Sequence, residues 1–135
     1  MKQPNSIIFN KSFKCIIADD SQFARMNIGK IVSSIGGQVT GEAKNGIEAI
    51  ELYFRIKPDI LLLDITMPEL DGIETLKIIM DKDNTAKIIV ISSLGHKKMM
   101  LNAISLGAKH FITKPYNSEQ VSLVIKSVLE NGADQ

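Results

Sequence analysis

Residues 60–64 read ILLLD, four apolar residues followed by an acidic one, and this pattern is the strongest indication of the fold. Residues 88–92 repeat the pattern as IIVIS, with a hydroxyl in place of the carboxylate. Strands without polar alternation are typical of a parallel sheet that helices cover on both faces. Both stretches are therefore predicted to be central strands of such a sheet.

On both sides of these two stretches, short apolar stretches alternate with longer stretches of helical periodicity. The five predicted strands are Cys15–Ala18, Val39–Ala43, Ile60–Leu63, Ile88–Ile91 and His110–Thr113. Between them run predicted helices with apolar stripes that we expect to face the core; the second has its stripe at Ile47, Ile50 and Phe54. Strict alternation predicts an α/β fold with a single doubly wound five-stranded parallel sheet. The flavodoxin-like strand order 2-1-3-4-5 is a working assumption at this point.

The composition indicates one ordinary globular domain, with 135 residues of which 44% are hydrophobic and 23% charged. A net charge of +1 gives no broad basic surface, so direct nucleic-acid binding is not expected. No apolar stretch approaches the roughly 18 residues of a membrane span. The single Cys15 cannot form an internal disulfide. A cytoplasmic location is therefore predicted.

Acidic residues follow two of the predicted strands. Asp19 and Asp20 come directly after the first, and Asp64 ends the third. If the strand order is 2-1-3-4-5, these strands are neighbours, and the three carboxylates share the edge where ligands bind in such sheets. Clustered carboxylates raise one another's pKa unless a cation joins them. Since Mg²⁺ is usually held by one or two carboxylates plus waters and phosphate oxygens, the pattern favours a Mg²⁺ site.

Two more polar side chains follow the fourth and fifth strands. Ser92 offers a hydroxyl donor, and Lys114 a compact cation that suits phosphate. A carboxylate nucleophile, metal ligands, a hydroxyl and a cation are what phosphoryl transfer to a carboxylate requires. Each residue alone has an ordinary interpretation, such as a helix cap, a turn residue or a surface lysine. Their shared position at the ends of strands favours the chemical one.

With these motifs in view, the chain resembles the receiver domains of response regulators of the CheY type. The resemblance rests on residues 17–21 (IADDS), 63–68 (LDITMP), 71–72 (DG), 91–92 (IS) and 107–115, which run from GA to KP. It implies a receiver domain over residues 13–131, after an N-terminal extension of residues 1–12.

The resemblance also implies roles for the acidic residues. Asp64 would be the phosphoacceptor and a metal ligand. Asp20 would bind Mg²⁺ directly, and Asp19 would hold the ion through water. The backbone carbonyl of Thr66 would complete the protein ligands.

Four further residues take roles by the same resemblance. Ser92 would bond a phosphoryl oxygen, and Lys114 would pair with the phosphoryl group. Phe111 lies where the family has an aromatic residue that moves inward on activation, so Ser92 and Phe111 would form the switch. The bond between Lys114 and Pro115 is expected to be cis, which would aim Lys114 into the pocket.

The function implied is that of a stand-alone response regulator, a phosphoacceptor switch rather than an enzyme, in a chemotaxis-type pathway or a phosphorelay. A sensor histidine kinase would supply the phosphoryl group. A protein effector would bind the face of the fourth helix, fifth strand and fifth helix of a monomer or weak dimer. One alternative is a receiver domain excised from a longer regulator. Another is an aspartate-nucleophile phosphatase of the haloacid dehalogenase kind, although Thr66 stands where that family wants a second acidic residue.

The lifetime of the phosphorylated state is the first testable prediction. By the resemblance, Thr66 and Leu94 lie where side chains admit or orient the hydrolytic water, and neither carries an amide or an acid. We therefore expect self-dephosphorylation to be slow compared with that of relatives that carry an amide or an acid at these two positions. The double variant Thr66→Asn, Leu94→Glu should lose phosphate about tenfold faster, a barrier change of ~1.4 kcal/mol. Decay of the radiolabelled protein in excess Mg²⁺ measures this, and an unchanged decay rate would contradict it.

Overall fold

The computed structural model describes residues 12–93 and 97–131, and within them five strands alternate with five helices. In chain order the elements are β1 (Phe13–Ala18), α1 (Gln22–Ser34), β2 (Gly37–Ala43), α2 (Gly46–Ile56), β3 (Ile60–Asp64), α3 (Gly72–Lys82), β4 (Ile88–Ser92), α4 (Lys97–Ser105), β5 (His110–Thr113) and α5 (Ser118–Asn131). The strands pair in the order β2-β1-β3-β4-β5, all in parallel. The predicted fold class and strand order are confirmed. Among the described residues, no helix is long and apolar enough to cross a membrane.

The two central strands are buried over their whole length, as their apolar runs predicted. Successive side chains of β3 point to opposite faces of the sheet. Leu61 and Leu63 pack into the core layer that α2, α3 and α4 cover, whereas Ile60 and Leu62 pack into the layer that α1 and α5 cover. This division explains why β3 tolerates no polar residue before Asp64.

Two of the three residues in the stripe predicted for α2 pack against the core, as expected. Ile47 was expected in the core, but 50% of its surface is exposed. The rotation of the helix directs Gly46, Ala49 and Tyr53 into the core, where they are buried. Gly46 sets this rotation, because its N–H donates to the carbonyl of Leu70 at 3.1 Å and a side chain there would overlap that backbone.

Strand register brings the polar strand ends level with one another. Ala18 pairs with Leu63, and Ile91 pairs with Asp64. Ser92 pairs with Thr113 at the end of β5. The residues that follow β1 and β5, and the last residues of β3 and β4, therefore lie at one edge of the sheet.

Gly72 holds the start of α3 against the end of β3. Its N–H donates to the carbonyl of Ile65 at 2.7 Å. A Cβ at this position would overlap the carbonyl oxygen of Asp64 and the Cα of Ile65. The close approach of these two backbone segments thus requires glycine.

Gly72→Ala is therefore expected to lower the free energy of unfolding by about 2 kcal/mol, because the methyl group must push two backbone segments apart. Gly29→Ala is the matched control, since a Cβ there would lie 3.7 Å from Val39 Cγ2, an ordinary contact. That control should stabilise α1 by up to about 1 kcal/mol. Urea denaturation measures both, and equal effects of the two substitutions would contradict the argument.

Candidate metal centre

Three carboxylates gather at the carboxyl end of the sheet. Asp19 and Asp20 follow β1, and Asp64 is the last residue of β3. One oxygen from each carboxylate lies within 4.8 Å of those of the other two. Asp19 and Asp64 are buried, whereas Asp20 is exposed. The structure thus brings together the acidic residues that the strand order placed at one edge.

Lys114 reaches into this cluster from the end of β5. Its Nζ lies 3.2 Å from Asp19 Oδ2 and 3.9 Å from Asp64 Oδ2. Its backbone N–H donates to the carbonyl of Ser92 at 2.9 Å, and the bond to Pro115 is cis, as the resemblance implied. Ser92 is fully buried at the end of β4, beside the strand that carries Asp64. Lys114 therefore joins the acidic cluster, and Ser92 ends the strand next to β3.

Electrostatics of the site show a surplus of negative charge. Burial raises the pKa of Asp64 to about 6, and the charge of Asp19 acts in the same direction. Lys114 and the N–H of Thr66, which donates to Asp64 Oδ1 at 3.3 Å, offset only part of this effect. Burial also opposes the charge of Lys114, but the carboxylates of Asp64 and Asp19 outweigh it, so the pKa of Lys114 is raised.

The donor set fits a hard divalent cation. Three carboxylates within 4.8 Å supply oxygen ligands, and one ammonium group does not balance their charge. Mg²⁺ takes oxygen ligands of this kind and keeps several waters when few protein ligands hold it. The residues present are therefore compatible with the Mg²⁺ that the sequence predicted.

The expected switch residues are both inside the protein. Ser92 is fully buried, and Phe111 is 7% exposed and belongs to the core layer under α2, α3 and α4. The ring of Phe111 therefore packs inward in this structure, and its movement on activation stays a prediction. Burial of this ring is favourable because phenylalanine has no hydroxyl that would need a partner. Leu94 and residues 1–11 lie outside the described residues.

Sequence reasoning missed Arg25. Its Nη1 donates to the backbone carbonyl of Asp19 at 2.7 Å, and its Nε donates to Glu42 Oε1 at 2.8 Å. Arg25 lies in the first turns of α1 and Glu42 lies in β2, so nothing in their spacing linked them to the acidic pair. Only the packing of α1 across β1 and β2 brings the three together.

Comparison with known proteins agrees with this geometry. The family model described as "Response regulator receiver domain" matches residues 15–126. The chain is 48% identical over 108 residues to the chemotaxis protein CheY of Listeria monocytogenes, covering 80% of this chain and 91% of that protein. It is 46% identical over 115 residues to CheY of Thermotoga maritima, covering 85% and 96%. A solved CheX–CheY–BeF3–Mg²⁺ complex from Borrelia burgdorferi has 38% identity and a TM-score of 0.84, covering 86% of this chain and 88% of that one.

The chain belongs to the response regulator receiver domain family, and within it to the CheY type. Such domains are switches of two-component signalling rather than enzymes in the ordinary sense. Membership of this family disfavours the haloacid dehalogenase alternative. The chain also matches a protein-glutamate methylesterase of Archaeoglobus fulgidus at 41% identity, where the match covers only 30% of that longer protein. Receiver sequences of this kind therefore occur both in short proteins and as parts of longer ones.

Repulsion among the carboxylates makes a stability prediction. Asp64→Asn should raise the melting temperature in chelator by about 4 °C, equivalent to ~1 kcal/mol for a domain of this size. The substitution removes one buried charge, while the shorter contact of Lys114 with Asp19 stays. It should also reduce the stabilisation that added Mg²⁺ gives the parent.

The matched control is Asp81→Asn, which removes an exposed carboxylate from α3. It should change stability by less than about 0.5 kcal/mol and leave the Mg²⁺ effect intact. Thermal unfolding with and without Mg²⁺ measures both variants. A lower melting temperature for Asp64→Asn in chelator would contradict the repulsion argument.

Proposed function

We propose that this protein is a CheY-type response regulator that accepts a phosphoryl group on Asp64 in a Mg²⁺-dependent reaction. The observation that carries the proposal is the position of Asp64, a buried carboxylate within 4.8 Å of two others and 3.9 Å from the Lys114 ammonium. A buried carboxylate with no role beyond the fold would be paired with a cation or protonated, and no further acidic side chains would lie beside it. A phosphoacceptor site needs that surplus of oxygen ligands.

Phosphoryl transfer would use these residues as follows. An oxygen of the Asp64 carboxylate attacks phosphorus in line and forms a P–O bond. The P–N bond of a kinase phosphohistidine, or the P–O bond of a small phosphodonor, breaks, and the leaving group keeps the electron pair. Lys114 pairs with the phosphoryl oxygens, and the Ser92 hydroxyl donates to one of them.

The metal ligands in this proposal are Asp20 and Asp64 directly, Asp19 through water, and the backbone carbonyl of Thr66. A bound Mg²⁺ would supply the positive charge that offsets the carboxylates and the phosphoryl oxygens. The exposed position of Asp20 beside the buried Asp19 and Asp64 supports this division, because the outermost carboxylate is open to an ion entering from solvent.

The switch would couple Ser92 to the face formed by α4, β5 and α5. Phosphorylation adds about −1.5 to −2 charge to the site. Ser92 would be drawn towards the phosphoryl group, and Phe111, already in the core, would repack beside it. The proposed effector face carries exposed apolar side chains at Leu101, Ile104 and Leu123, which supports a protein partner.

The remaining parts of the proposal concern the cellular context. A sensor histidine kinase donates the phosphoryl group, the protein acts in the cytoplasm as a monomer or weak dimer, and it does not bind nucleic acid itself. The CheY relatives favour a chemotaxis-type pathway over another phosphorelay. The named CheX–CheY complex is a property of the Borrelia burgdorferi protein, and it supports a protein partner of some kind here.

Labelling tests the phosphoacceptor. Acetyl phosphate should add one phosphoryl group in Mg²⁺ and none in chelator, and the label should be lost in alkali as acyl phosphates are. Asp64→Asn should abolish labelling because the nucleophile is gone, whereas Asp81→Asn should label as the parent does. Intact-protein mass spectrometry measures the adduct. Undiminished labelling of Asp64→Asn would overturn the site.

A further inference from the structure

We propose that Arg25 is a positioning residue for the Asp19–Asp20 pair, and that Glu42 holds Arg25 in place. The inference rests on the proposed function, because it assigns to Arg25 the task of presenting Asp20 to Mg²⁺. It extends the site beyond the residues at the strand ends to α1 and the edge strand β2.

The Asp19 backbone is held on both sides. Its N–H donates to the carbonyl of Ala43 in β2 at 3.0 Å, and its carbonyl accepts from Arg25 Nη1 at 2.7 Å. That carbonyl belongs to the planar peptide bond between Asp19 and Asp20. Its orientation therefore determines where the Cα of Asp20, and the carboxylate attached to it, lie.

Asp20 depends on this backbone anchor more than its neighbour does. The carboxylate of Asp19 is buried, accepts from the Ser21 N–H at 2.9 Å and contacts Lys114 Nζ at 3.2 Å. Asp20 is exposed, so core packing does little to fix it. An anchored peptide bond is then the way the fold limits the freedom of this carboxylate.

Arg25 is suited to the task by its shape and its setting. Its side chain is only 11% exposed, whereas that of Glu42 is 52% exposed. The rigid guanidinium donates in two directions at once, to the Asp19 carbonyl and to Glu42 Oε1 at 2.8 Å. Arg25 contacts the carbonyl of Asp19 and leaves the carboxylate oxygens to the cation. Lysine cannot reproduce this two-way contact.

The test is Mg²⁺ affinity by isothermal titration calorimetry on the full chain. Loss of a residue that orients a metal ligand typically weakens binding about 10- to 100-fold. We expect Arg25→Met to weaken Mg²⁺ at least about tenfold and Arg25→Lys to be closer to Arg25→Met than to the parent. Lys30→Met removes the same charge from an exposed position on the same helix, and it should leave the affinity within about twofold.

A double-variant cycle separates positioning from general stability. In an Asp20→Asn background, Arg25→Met should weaken Mg²⁺ by less than about twofold, because the group that Arg25 presents is already gone. Urea unfolding of each variant reports stability independently of metal. If Arg25→Met does not fold, Arg25→Lys carries the same comparison against Lys30→Met.

Two outcomes overturn the inference. One is an Arg25 variant that folds and binds Mg²⁺ within about twofold of the parent; the other is an equal loss of affinity in the parent and Asp20→Asn backgrounds. A parent protein that binds no Mg²⁺ would overturn the proposed function together with this inference. Normal binding by the parent with unchanged binding by the Arg25 variants would overturn the inference alone.

Discussion

Parallel pairing of β3 with β1 on one side and β4 on the other positions the candidate site and the helices around it. Parallel strands run in the same direction, so their carboxyl ends reach the same edge. The register of Ala18 with Leu63, and of Asp64 with Ile91, makes those ends level. The polar groups of the candidate site then come from the end of a strand or from the one or two residues that follow it. Helices on both faces of the sheet bury β3 and β4 over their whole length.

Because the strand ends are level, carboxylates lie close together, and the protein relieves their mutual repulsion only in part. Asp19 and Asp64 are buried beside each other, and Lys114 neutralises one charge between them. The raised pKa of Asp64 reflects its burial and the repulsion from Asp19 that remains. The divalent cation that we propose would relieve this repulsion, and carboxylates with raised pKa values are common at functional sites. Repulsion among the carboxylates therefore favours the binding of a cation at this site.

Support for the site extends behind the acidic edge. Gly72 brings α3 against the Asp64–Ile65 backbone, and Arg25 joins the Asp19 carbonyl to Glu42 of β2. Both contacts act on the backbone and leave the reactive side chains to the ligand. Rigid elements thereby determine where the carboxylates lie, while the exposed faces of α4 and α5 remain available to a partner. A rigid site combined with an exposed binding surface is suited to a switch.

Fold class, the positions of the strands and the acidic cluster could be predicted from the sequence alone. Unbroken apolar runs such as residues 60–63 are typical of buried parallel strands, and the candidate site residues follow such strands closely in the sequence. Strand order could only be assumed, because periodicity does not say which strands pair. Tertiary structure decided that order, the rotation of α2 that left Ile47 exposed, the inward ring of Phe111 and the contact of Arg25 with Asp19. These features depend on how helices pack across several strands, a long-range geometry that local sequence patterns do not encode.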